Sequence, residues 1–109
     1  MLYTKLGRLE DGAREFRRAI ANRPGYAQAY LDLGIARGRQ GRTDEAIEAF
    51  RRAIALRPDS VDAYNNLGVS LAILGRPREA IEALQHALAL DPEHADAKRN
   101  LAVVSEGAR

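Results

Sequence analysis

The sequence has no cysteine and no tryptophan, one methionine, and only six aromatic residues, all phenylalanine or tyrosine. Without cysteine there is no disulfide, no thiolate nucleophile and no cysteine-based zinc site, which fits a reducing compartment and leaves stability to packing. No apolar run approaches the roughly 20 residues that a bilayer-spanning helix requires. The opening MLYTKLGRLEDG lacks a long apolar stretch and carries Glu10 and Asp11, unlike a secretory signal or transit peptide, so a cytoplasmic location is expected. Also missing are a glycine-rich phosphate loop, a nucleophile beside a base, and paired carboxylates with an evident pocket. These absences predict a chain that is not an enzyme in itself and needs no cofactor.

What is present is one ordered unit: 109 residues, 46% hydrophobic and 29% charged, with room for a modest core. The formal net charge of +2 is small but unevenly spread. Residues 1–57 hold 12 basic and 7 acidic side chains, whereas residues 58–109 hold 5 and 8. Arginine supplies 15 of the 17 cations.

A spacing of 34 residues organises the chain. Pro24, Pro58 and Pro92 recur at that offset, as do Gly7, Gly41 and Gly75, and Ala19, Ala53 and Ala87. Leu33, Leu67 and Leu101 align, Tyr30 aligns with Tyr64, and Phe16, Phe50 and Leu84 share a register. Such a period marks stacked supersecondary units that bury their apolar faces against one another. Within a unit the apolar positions have helical spacing: Tyr64, Leu67, Gly68 and Leu71, then Ala80, Ile81, Leu84, Ala87 and Leu88. Each unit is therefore two helices. Gly75 suits the left-handed residue that ends a helix, and Pro77 the first turn of the next. Thr43, Glu45 and Ala46 open the equivalent helix one unit earlier, and the recurring prolines enforce the turns between units. Short connections make neighbouring helices antiparallel. Gly34 and Gly68 on first helices, with Ala46, Ala53, Ala80 and Ala87 on second helices, predict close helix approach.

With Tyr30, Leu33, Gly34, Ala46, Phe50 and Pro58, and again Tyr64, Leu67, Gly68, Ala80, Leu84 and Pro92, the chain resembles the tetratricopeptide repeat family. The resemblance implies an all-α fold, an α-solenoid of stacked antiparallel hairpins forming one domain over residues 1–109. Its expected parts are a truncated first repeat at 1–24, repeats at 25–58 and 59–92, and a C-terminal capping helix at 93–109. The first repeat has only half of its first helix before Gly7, and the last helix has no partner in the sequence. Lys98 and Ala102 replace tyrosine and glycine there, as a solvated outer face requires. Arg37 stands at the register of Leu71, and with Gly38 beside it the end of that helix is expected to fray.

In this family the first helix of each unit lines the concave surface. The resemblance therefore implies a peptide-binding groove made from Gln28, Leu31, Asp32, Ile35, Asp62, Asn65, Asn66, Val69, Asn100 and Val103. Asp32, Asn66 and Asn100 form a polar row beside an aliphatic row of Ile35, Val69 and Val103. An amide offers a donor and an acceptor to a backbone, and aliphatic shelves receive side chains, so the expected partner is a protein or peptide. The repeats of O-linked N-acetylglucosamine transferases are similar in carrying groove asparagines, although Asp32 interrupts the row here. A two-carboxylate clamp for chaperone C-termini is not expected, because the relevant positions read Leu31-x3-Ile35, Asn65-x3-Val69 and Arg99-x3-Val103.

Three functional readings follow: an interaction module, the substrate-recruiting repeat segment of a larger enzyme such as a glycosyltransferase, and a self-associating scaffold. The third would form a homo-oligomer through the truncated front hairpin, where Phe16, Ala19 and Ile20 have incomplete cover. Arg17, Arg18, Arg51 and Arg52 predict a salt-laced outer face rather than a nucleic-acid surface, since no aromatics are interleaved for base stacking. No nucleic acid or membrane is expected as a partner. His94 lies among Asp91, Glu93 and Asp96, but those acids suit a turn and a helix start better than a metal, so no metal site is expected.

Overall fold

The computed structural model describes residues 25–108. The sequence readings on the truncated first repeat, including Gly7, Phe16, Arg17, Arg18, Ala19, Ile20 and Pro24, lie outside the described residues. Five α-helices and no strand occur among the described residues: α1 (Gly25–Arg39), α2 (Thr43–Leu56), α3 (Val61–Ile73), α4 (Pro77–Leu90) and α5 (Ala95–Gly107). They form an all-α row of antiparallel hairpins, α1 with α2 and α3 with α4, followed by the single α5.

The turns inside the two hairpins are the same device used twice. Gly41 and Gly75 adopt φ of 78° and 83°, which glycine reaches without steric cost. The Arg42 N–H then donates to Arg37 O, and the Arg76 N–H to Leu71 O, both at 2.9 Å. With Gly41 N–H donating to Gly38 O and Gly75 N–H to Ala72 O, each at 3.0 Å, these are complete Schellman closures. The same arginines open the second helices, where Arg42 pairs with Glu45 at 3.4 Å and Arg76 with Glu79 at 2.7 Å.

Between units the prolines stop the chain. Arg57 and Asp91, each before a proline, are extended at φ −140° and −143°, as the proline ring requires of its predecessor. The next helix is then capped from a position that also recurs at 34: Ser60 Oγ accepts from Ala63 N–H at 3.2 Å, and His94 Nδ1 from Ala97 N–H at 3.1 Å. The expected fraying near Arg37 does not occur. Its side chain pairs with Glu45 at 3.4 Å and donates to Gln40 at 3.3 Å, and α1 runs on to Arg39.

The core follows the repeat. Phe50 sits under Gly34 and Leu84 under Gly68, where an added Cβ would collide with the side chain below. Ala46, Ala53, Ala80 and Ala87 are buried along the second helices and let the backbones approach. One cluster joins Tyr30, Phe50, Leu67 and Leu71 across the unit boundary, so the two hairpins share a continuous interior. On α5, Lys98 and Ala102 are exposed where α3 has the half-buried Tyr64 and the buried Gly68.

Candidate functional site

Helix α3 packs against α2, α4, α1 and α5, so little of it meets solvent. Its exposed and half-buried positions include a stripe, Asp62, Asn66, Val69 and Ile73, at spacings of four, three and four. The stripe recurs on α1 as Gln28, Asp32, Ile35 and Arg39, and on α5 as Asp96, Asn100, Val103 and Gly107. α1 touches α3 and α3 touches α5, so the helices that carry the three stripes are neighbours.

The second helices are splayed: α2 and α4 meet across a crevice of about 180 Å³, whose walls include Arg51, Tyr64, Leu67, Glu79, Glu82 and His86. Arg51 and Glu79 span it at 3.8 Å. Tyr64 and His86 stack in its wall with ring centroids 4.0 Å apart. Arg52 is held by Glu48 at 3.1 Å, so Arg51 and Arg52, the described members of the arginine stripe, both face acids.

The ten candidate groove residues do not play equal parts. Leu31 and Asn65 are buried, at 7% and 8% exposure. They sit one position away from the open stripe, where α1, α3 and α5 approach each other. The Asn65 Oδ1 accepts from Asn100 Nδ2 at 3.0 Å, a bond between successive first helices. These two side chains are therefore covered, not open as the other candidates are. Gln28 Nε2 donates to Asp32 Oδ1 at 3.0 Å, and Asp62 Oδ1 lies 3.4 Å from His94 Nε2. Asn66 makes no side-chain hydrogen bond among the described residues and leaves its amide uncommitted. Ile35 and Val69 are half-buried, while Val103 is 64% exposed.

The sequence reading left two residues out of the site. Ile73, 70% exposed, extends the aliphatic row by one turn; its position four residues after Val69 was the available signal. His94 is the other: its ring caps α5 and reaches Asp62, and the 34-residue offset from Ser60 marks it as a cap. Among the described residues no group of side chains is placed to hold a metal ion, and no helix is long and apolar enough to cross a membrane.

The tetratricopeptide repeat family model matches residues 1–59, 31–83 and 74–108. Solved structures of similar shape include the second TPR of Spaghetti (RPAP3) bound to the HSP90 peptide SRMEEVD, with a TM-score of 0.73 at 21% identity. That match covers 75% of this chain and 76% of the other. Two structures of MamA superpose with TM-scores of 0.74, at 26% and 29% identity, over 98% and 97% of this chain. The chain spans 67% and 58% of those two MamA chains. No curated protein matches the chain.

Proposed function

Because this chain belongs to the tetratricopeptide repeat family, we propose that it is a non-catalytic interaction module that takes an extended peptide along the joined stripes of α1, α3 and α5. The observation that carries this reading is Asn66. Every other polar side chain in the central rows already has a partner, whereas this amide is uncommitted at the middle of the surface and beside exposed aliphatic side chains. A peptide backbone presents unpaired N–H and C=O groups in alternation, which one carboxamide can meet with both its donor and its acceptor. The aliphatic row beside it removes apolar peptide side chains from water. The RPAP3 domain of the same shape holds a peptide, which supports the ligand class.

The test begins with peptides selected from a random display library on the immobilised chain, followed by titration calorimetry of a recovered sequence. Asn66→Ala is expected to weaken binding by about 1 kcal/mol, roughly fivefold, with an unchanged thermal melt. Equal affinity for both proteins would leave Asn66 a solvated residue and remove the main support for the groove.

A further inference from the structure

The groove's internal pairing leaves it electrically lopsided. The Asp32 carboxylate accepts from a neutral amide, that of Gln28. The Asp62 carboxylate faces His94, whose Nδ1 already accepts the Ala97 N–H. Other charges nearby are closed off: Asp96 holds Arg99 at 2.8 Å and Glu93 holds Lys98 at 3.0 Å. Arg39 lies at the far edge, two turns from Asp32. Among the described residues neither Asp32 nor Asp62 is bonded to a lysine or arginine: Asp62 stands one row before Asn66 and Asp32 in the row of Asn66 itself, while the opposite flank carries Ile35, Val69, Ile73 and Val103.

The spacing of these flanks fits a strand. Seven residues separate Asp62 from Val69, about 10 Å along the helix, which is the thickness of one extended strand with its side chains. A strand directs alternate side chains to opposite sides and its N–H and C=O groups between them. With Asn66 meeting the backbone at the middle, one set of side chains falls toward Asp62, with Asp32 beside the strand in the row of Asn66, and the other set on the aliphatic row. We propose that the groove selects an extended segment in which lysine or arginine alternates with aliphatic residues, and that it disfavours acidic segments. This inference rests on the groove reading above and adds the charge of the partner to it.

Fluorescence anisotropy on the full chain tests it with three labelled peptides of equal length: alternating lysine and valine, alternating glutamate and valine, and alternating lysine and serine. The lysine–valine peptide is expected to bind at least tenfold more tightly than either of the others, and to weaken as salt is raised. Asp32→Asn and Asp62→Asn should each weaken it about threefold, and Glu82→Gln on the outer face should leave it unchanged. Equal or tighter binding of the glutamate–valine peptide would overturn the charge inference alone, as would failure of all three while a display-selected peptide binds. A loss with Glu82→Gln matching that with Asp62→Asn would overturn the groove reading as well, by moving the peptide to the crevice side.

Discussion

Gly68→Leu is expected to lower stability by about 3 kcal/mol, at the upper end of typical overpacking costs. A Cβ at Gly68 falls 2.6 Å from Leu84 Cγ, 2.9 Å from its Cδ2 and 3.2 Å from the Ala80 carbonyl oxygen. Leu84 is fully buried and has no room to withdraw, and the oxygen belongs to the α4 backbone, so relief requires the two helices to separate. The gain in helix propensity from replacing a glycine, on the order of 1 kcal/mol, is too small to offset this. Urea unfolding should show a midpoint lower by about 1–2 M for a domain of this size. In a Leu84→Ala background the cost should shrink, because the obstructing side chain is gone. A midpoint equal to that of the parent would mean that α3 and α4 do not meet at Gly68.

Phe50→Ala should cost still more, about 3–5 kcal/mol. The ring is 2% exposed, lies directly under Gly34 and belongs to the cluster that joins the two hairpins. The glycine above it has no side chain to fill the space. The melting temperature should fall by roughly 15 °C or more, since 1 kcal/mol shifts a domain of 60–100 residues by about 4–8 °C. Ile73→Ala is the internal contrast: that side chain is 70% exposed, and its removal should stay within about 0.5 kcal/mol. A Phe50→Ala protein that melts with the parent would place the ring outside the core.

These effects were legible in the sequence because they depend on local periodicity. Helical spacing, the 34-residue offset, and the glycines and prolines at fixed points in each unit give the hairpins, and the structure places Gly41, Gly75, Phe50 and Leu84 accordingly. The parts that were hard to read depend on contact between units. Asn65 and Asn66 are adjacent and chemically identical, yet one bonds Asn100 on the next first helix and the other remains open. A helical turn rotates neighbouring residues by about 100°, so the width of the α3–α5 contact decides which asparagine is covered, and periodicity alone does not give that width. Leu31 is drawn inward for the same reason. Arg37 was misleading in a different way: a charged residue at a core register predicts fraying, but Glu45 on the adjoining helix and Gln40 in the turn supply its partners.

The most direct measurement is amide chemical-shift mapping of the isotope-labelled chain during titration with a selected peptide. The perturbed signals should fall on the shared stripe, at Asp32, Ile35, Asn66, Val69 and Val103, with α2 and α4 left quiet. Perturbations centred instead on Arg51, Glu82 and His86 would put the peptide in the outer crevice and contradict the account.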